Sequence, residues 1–297
     1  MKILIIGRGY IGQRCHKVWS DSVLADKHVR TKQDVLDLLE EHKPDAVLNA
    51  AGVRGKPNVD WCEDNQIETM LGNTVLPIII ADACQEKQVY LLHIGSGCVF
   101  YGDSPHPDKA WREDDPANPE VIYSKSKYAA DLVLSTLSNV GIGRIRIPID
   151  HISSPGNLID KLASFKKIAD VENSITVVED MIQVFHDLLE KKAEGIFHVT
   201  NPGTIKHREV VDLYKELVDP SHINEWISNE ELVNSGLAKK GRSNNFLASV
   251  NLAKYGIEMR EVHEAVRDTV SKYVEAKKKE ESGNTSANSA QGDVLVC

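Results

Sequence analysis

Four side chains, Ser96, Cys98, Tyr123 and Lys127, follow one another in an order that suits redox chemistry at a ketone. Ser96 and Cys98 stand two apart at the end of the apolar run Val89 to Ile94, so a strand through that run would point both to one face. Tyr123 and Lys127 stand four apart in a segment with helical character, which puts them on one side of a helix. A hydroxyl, a thiol, a phenol and an ammonium can then converge on one bound oxygen and the carbons beside it. The phenol would donate a proton to the oxygen, the ammonium would lower the phenol's pKa, and the hydroxyl would hydrogen-bond the same oxygen. Taken alone, Tyr-x-x-x-Lys describes any amphipathic helix with an exposed pair, and Cys98 a small buried strand residue. The chemical reading depends on what lies upstream.

Upstream, the apolar run Ile3 to Ile6 leads into Gly7-Arg8-Gly9-Tyr10-Ile11-Gly12 and then into helical sequence to Trp19. Strand, glycine turn and helix are the context of a dinucleotide fingerprint, in which backbone approaches a pyrophosphate resting on the helix's positive end. Asp26, about 20 residues on, is placed to take the ribose diol of NAD. Arg8, Lys27, Arg30 and Lys32 could instead hold the extra phosphate of NADP, and the reading leans to NADPH over NADH. Further strands are expected at Ala46 to Asn49, Val89 to Ile94 and Ile142 to Ile147, and helices at Glu63 to Glu86 and Tyr123 to Ser138. Such alternation predicts an α/β fold: a Rossmann-type doubly wound parallel sheet with helices on both faces. Ligands bind at the carboxyl ends of such strands, where the glycine turn, the turn Asn49-Ala50-Ala51-Gly52, and Ser96 with Cys98 all fall.

Residues 1–150 are expected to form the dinucleotide-binding domain, and 151–276 a smaller substrate-binding lobe interleaved with the sheet. The polar stretch 277–297 reads as a disordered tail. With 297 residues, 41% of them apolar, the chain can bury a large core. No apolar run long enough to span a bilayer and no signal peptide is evident, so a soluble, cytoplasmic protein is expected. The five cysteines make no CxxC pair and the eleven histidines no paired spacing on a helix face, so no disulfide framework and no metal site are assigned. A formal charge of −9, with the one basic run Lys277 to Lys279 followed at once by two glutamates, argues against a nucleic-acid partner.

The glycine turn, the Asn49 to Gly52 turn, Ser96 and Tyr123-Ser124-Lys125-Ser126-Lys127 together resemble the extended short-chain dehydrogenase/reductases of the dTDP-4-dehydrorhamnose reductase group. Asn49 to Val53, Pro57 to Glu63, Gly97 to Phe100, Thr200 to Gly203 and Arg242 to Asn245 are similar to the bifunctional UDP-4-keto-6-deoxyglucose 3,5-epimerase/4-reductases. The resemblance covers Met1 to Tyr273, with a glycine turn one residue shorter than the family's GxxGxxG and a shorter Gly102 to Asp115 loop. It implies an NAD(P)H-dependent enzyme that converts a nucleotide-bound (UDP or dTDP) 4-keto-6-deoxy-D-glucose to the L-rhamnose nucleotide. Lys127 would bind the nicotinamide ribose, and Lys161 would return the proton that Cys98 removes.

A C4 ketone acidifies the hydrogens on C3 and C5, and groups that polarise its oxygen for hydride attack equally stabilise an enolate. Inversion must precede reduction, because those hydrogens are inert once C4 is an alcohol. Arg242, Asn244 and Asn245 would suit a diphosphate or sugar, Arg54 and Asn58 follow a strand end and would face the sugar, and Asn157 and Asn73 complete the substrate-side candidates, Asn73 doubling as a structural asparagine. Two narrower readings stand beside this one: reduction alone, or a regulatory binding module such as the β subunit of methionine adenosyltransferase. Monomer or homodimer, and whether a separate upstream 4,6-dehydratase supplies the ketone, are left open at this stage.

Overall fold

A computed structural model describes residues 1–56 and 58–283. Pro57 of the Pro57 to Glu63 segment lies outside the described residues, as does 284–297 with Cys297. The chain opens β1 (Ile3–Ile6), α1 (Tyr10–Val18), β2 (Ser22–Leu24), α2 (Lys32–His42), β3 (Ala46–Asn49), α3 (Gln66–Glu86), β4 (Tyr90–Ser96), α4 (Ile122–Leu134) and β5 (Val140–Ile145). It continues with α5 (Leu158–Ser164), α6 (Val178–Glu190), β6 (Gly195–Val199), α7 (His207–Leu217) and α8 (Val262–Gly283). The six strands form one parallel sheet in the order β6-β5-β4-β3-β1-β2.

Alternating side chains of β1 show why helices cover both faces. Ile3 and Ile5 pack with Cys15, Trp19 and the α6 residues Met181 to Leu189, whereas Leu4 and Ile6 pack with α2, with Ile80 to Cys84 of α3 and with Ala130 and Leu134 of α4. A third core joins Ile149, Leu158, Ile159, Val210, Val266 and Tyr273 beneath the smaller lobe, which adds four two-stranded pairings. The boundary at residue 150 is therefore crossed, since α6 and β6 return from the second segment to the main sheet.

Three local expectations change. α8 extends to Gly283, so 277–283, read as tail from composition, is helical. Lys278, Lys279 and Glu280 there are exposed, as on a solvated helix face. The helix expected from Glu63 to Glu86 breaks at Asn65, whose backbone (φ −123°, ψ 53°) separates the turn Trp61–Asp64 from α3. α3 itself, at mean hydropathy 1.3 over its best window, passes the length and apolarity test for a membrane span. Its buried side, Ile80, Ala81, Ala83 and Cys84, is committed to the sheet.

Register aligns the strand ends that matter. Ile6 pairs with Asn49, Asn49 with His93, and Ser96 with Ile145, so the residues after β1, β3, β4 and β5 emerge along one edge. The chain reverses direction across the sheet between β2 and β3, which leaves the β1 turn at the switch point. At that turn Gly7 has φ +120°, and a Cβ there would lie 2.4 Å from the Ala50 carbonyl carbon; a Cβ on Gly12 would lie 2.0 Å from the Gly7 oxygen. Gly12→Ala is expected to destabilise the protein by about 1–3 kcal/mol through overpacking against backbone, read by urea unfolding followed with circular dichroism; an unchanged midpoint would refute the close packing.

Candidate active site

The glycine turn divides its labour. Gly7 and Gly12 are filled by neighbouring backbone, while nothing lies within 4 Å of where a Gly9 Cβ would stand, so the turn is open there, at the N-cap of α1. That combination fits a dinucleotide diphosphate: tight packing behind and free backbone in front. Arg8 is exposed and donates to the Asp26 carbonyl oxygen at 3.1 Å, with the Asp26 side chain also exposed. Ile11 packs against the α1 face of the core. Tyr10, expected to meet the cofactor, instead directs its hydroxyl to Asp150, which also pairs with Arg14 at 2.6 Å. Burial and Asp150 both raise the Tyr10 phenol's pKa. Arg14 and Asp150 escaped the sequence reading, and together they tie the glycine turn to the start of the second lobe.

The second turn is equally organised. Asn49 is fully buried, its Oδ1 accepting the Ala51 N–H at 3.0 Å and its Nδ2 facing His93 Nδ1 at 3.0 Å. Burial, and next the charge of Lys127, hold His93 well below its ordinary pKa. A neutral His93 with Nδ1 as acceptor is the tautomer this pairing requires. Asn73, in the π-helical turn Leu71–Val75 of α3, brackets Val53 with 2.7 Å bonds to both its N–H and its C=O, and donates to Ser126 Oγ. It serves the backbone, as a structural asparagine does, and has no donor left for a ligand.

Lys127 is buried and donates from Nζ to the Ile94 carbonyl at 3.1 Å. The same nitrogen would stand 3.3 Å from a Cβ on Gly52, so α4 and the Asn49 to Gly52 turn meet at this ammonium. Burial lowers its pKa to about 8, against the opposing pull of Asp131 one turn on. Tyr123 is half-buried. Burial and then the neighbouring Cys98 push its phenol above the ordinary value, and a hydrogen bond with Ser96 works the other way, as does Arg54 further down the order. Lys127 is not among the leading influences on the phenol. Its ammonium is turned toward Ile94 and Gly52 instead.

Cys98 is not on the strand. β4 ends at Ser96, and Gly97–Val99 forms a 3₁₀ turn in which Ser96 Oγ accepts the Cys98 N–H at 3.2 Å. A serine hydroxyl that competes for local backbone N–H groups ends the strand here. Ser124 Oγ of α4 donates to the Cys98 carbonyl at 2.7 Å, so the turn is pinned to the helix that carries Tyr123 and Lys127. Ser96, Cys98 and Tyr123 are therefore together, by a turn instead of by strand alternation. Cys15 and Cys84, by contrast, lie in the core with thiols pushed up to about 12 by burial.

On the substrate side the asparagines and arginines separate. Arg54 is exposed, lies beside Gly156, and has no ion-pair or hydrogen-bond partner among the described residues. Asn58 caps its own turn, accepting the Asp60 N–H at 2.8 Å. Arg242 forms a two-pronged pair with Asp60 at 2.7 and 2.8 Å and, against burial, holds that carboxyl below its usual range. Asn244 accepts from Asn173, and Asn245 donates to the Gly97 and Phe100 carbonyls on either side of Cys98. Asn157 is fully buried, capping α5 and bonding the Asp150 backbone in both directions. Arg242, Asn244, Asn245 and Asn157 thus hold loops together in this structure; buried backbone groups need these partners. Lys161 is half-buried on α5.

Residues 1–274 match the family described as RmlD substrate binding domain. The chain belongs to the RmlD family. As an RmlD-type extended short-chain dehydrogenase/reductase it is 32% identical, over 87% of each chain, to a bifunctional dTDP-4-dehydrorhamnose 3,5-epimerase/dTDP-4-dehydrorhamnose reductase of Arabidopsis thaliana. Among solved structures it is similar to the L780 UDP-rhamnose synthase of Acanthamoeba polyphaga mimivirus, with TM-score 0.83 and 28% identity over 91% of this chain and 99% of that one. A Bacillus anthracis dTDP-4-dehydrorhamnose reductase in complex with NADP shares the fold at TM-score 0.78 and 20% identity, covering 90% and 98% of the two chains. The chain spans 42% of the length of a trifunctional Arabidopsis thaliana protein of UDP-rhamnose synthesis that it also matches. RmlD membership makes this chain an enzyme of a reductase family that uses NAD(P)H.

Proposed function

We propose that the protein is an NADPH-dependent nucleotide-sugar 3,5-epimerase/4-reductase, acting on a UDP- or dTDP-bound 4-keto-6-deoxy-D-glucose to give the L-rhamnose nucleotide. The observation that carries the reading is the convergence of Cys98 with Ser96 and Tyr123: the Ser96 hydroxyl accepts the Cys98 N–H, and both Ser96 and Cys98 lie close enough to the Tyr123 phenol to shift it. Bifunctional and UDP-rhamnose-forming relatives of nearly this chain's own length support it.

In this reading Ser96 and Tyr123 hold the C4 oxygen. Cys98 takes the hydrogen from C3 or C5 as a proton, the C–H electron pair moves into the enolate, and Lys161 returns a proton from the other ring face. In the later step Tyr123 gives its proton to the C4 oxygen. NADPH, when bound, supplies the hydride to C4. Gly7 to Gly12 would hold its diphosphate, Asn49 to Gly52 would line its path, and Lys127 would hold the nicotinamide ribose. Arg8, exposed and anchored on Asp26, favours NADPH over NADH because its guanidinium is available to a ribose phosphate. Arg54, exposed and unpaired among the described residues, is the cation best placed for the nucleotide-sugar.

The test is incubation with the 4-keto-6-deoxyglucose nucleotide in heavy water, first without and then with NADPH. Deuterium is expected at C3 and C5 before coenzyme is added, and the 6-deoxy-L-sugar nucleotide after. Reduction with no deuterium at those carbons would leave a 4-reductase alone.

A further inference from the structure

Four arginines are buried among the described residues: Arg14, Arg144, Arg146 and Arg242. Three of them face a carboxylate: Arg14 pairs with Asp150 at 2.6 Å, Arg144 with Asp131 at 2.8 Å, and Arg242 with Asp60 at 2.7 Å. Arg146, only 1% exposed, has no carboxylate partner. Its Nη1 donates to Cys98 Sγ at 3.1 Å and to Ser243 Oγ at 3.3 Å, its Nη2 to Asn173 Oδ1 and the Ser243 carbonyl, and its Nε is buried without a partner. Each of these acceptors is neutral under all ordinary conditions except the sulfur. A guanidinium does not shed its proton in a protein, and a buried cation lacking an anion is strongly disfavoured.

We propose that Arg146 is the counter-ion of Cys98, holding it as a thiolate and fixing the direction of its sulfur, so that Arg146 is a positioning residue for proton abstraction. The proposal deepens the reading of Cys98 as the base and rests on it. Arg146 immediately follows β5, whose Ile145 pairs with Ser96, and its N–H is held by Thr176 Oγ1 at 2.9 Å, so the guanidinium is anchored from its own backbone. The other titratable groups facing this pair are the phenols of Tyr123 and Tyr101 and the imidazole of His207. Burial raises both phenols, and burial together with the nearby guanidinium lowers His207 to about 4, so all three are neutral near neutral pH and none supplies the missing anion. When the thiolate takes the proton, an S–H bond forms, a C–H bond breaks, and the negative charge passes to the enolate oxygen. Lys161 then protonates the carbon, consuming the enolate charge, and the S–H proton passes to solvent, a loss that Arg146, keeping its own proton throughout, favours and that regenerates the base.

The test is the rate of Cys98 alkylation by iodoacetamide against pH in the full chain, followed by mass spectrometry of the Cys98 peptide. Removing the guanidinium in Arg146→Met is expected to slow the reaction about tenfold or more near pH 7, with the gap closing above roughly pH 9, where an unperturbed thiol ionises. Arg146→Lys should retain part of the rate. Identical pH profiles in wild type and a folded Arg146→Met would overturn the proposal. Should that variant fail to fold, the thiolate ultraviolet band of wild type minus Cys98→Ser decides: it must persist at about pH 6, and its absence there overturns the pairing. Deuterium exchange into the substrate is read separately. A shifted alkylation profile without exchange would sink the epimerase reading and leave the ion pair standing, while exchange with unshifted profiles would do the reverse.

Discussion

Replacing Cys98 by alanine is expected to abolish deuterium entry at C3 and C5, while a 4-keto sugar already inverted at both carbons is still reduced. The turn is held by main-chain groups, through the Cys98 N–H to Ser96 and the Cys98 carbonyl to Ser124, and alanine keeps both. What disappears is the sulfur, which accepts from Arg146 Nη1 at 3.1 Å. A positioned base contributes about 10²–10⁴-fold to a proton transfer, so exchange should fall by at least that lower bound. Alanine also strands the Arg146 guanidinium, and any loss of stability from that must be kept apart from loss of chemistry. Cys98→Ser serves this purpose: its hydroxyl can still accept from Arg146, yet it is too weak an acid to work as the base, so it too should lose exchange. Proton magnetic resonance of the sugar in heavy water measures the outcome. Exchange within about tenfold of wild type in both variants would remove Cys98 from the mechanism.

The chemistry legible in the sequence was of a local kind. Tyr123 and Lys127 share a helix face because four residues make about one turn, and Gly7 to Gly12 announce themselves because a strand-to-helix turn at close quarters tolerates little else. Cys98 reached the site by a route the alternation argument did not contain: Ser96 ends the strand, and the turn beyond it turns the sulfur toward Arg146. The asparagines carry a role that spacing does not announce. Asn157, Asn244 and Asn245 sit in polar loops, where ligand contacts are also found, but their amides satisfy backbone or side-chain groups as far away as Gly97 is from Asn245, a pairing only the tertiary fold creates. Arg146 carried a usable signal that went unread. In Ile142 to Ile147 arginines alternate with isoleucines, which suggests one wet face, yet a strand inside a parallel sheet is covered on both sides. Two arginines there must each find an anion, and only Arg144 has a carboxylate.

Tyr123→Phe should cost the reductive step about 10²–10⁴-fold, with a smaller effect on deuterium exchange, because Ser96 remains to hold the enolate oxygen while nothing replaces the lost proton. The pH dependence separates this assignment from its rival. Burial and the Cys98 charge raise the Tyr123 phenol, so the donor stays protonated across the usual assay range and its own ionisation sets no limit there. Lys127, lowered by burial to about 8, does ionise within that range. The sign follows from the shift: the ammonium is intact below about pH 8 and is lost as pH rises through it, so kcat/KM for reduction should decline above that point in the free enzyme. Tyr123→Phe, however slow, should keep the decline at the same pH, and Lys127→Met should abolish it. A limb that vanishes in Tyr123→Phe instead would make the phenol the titrating group and remove Lys127 from that role.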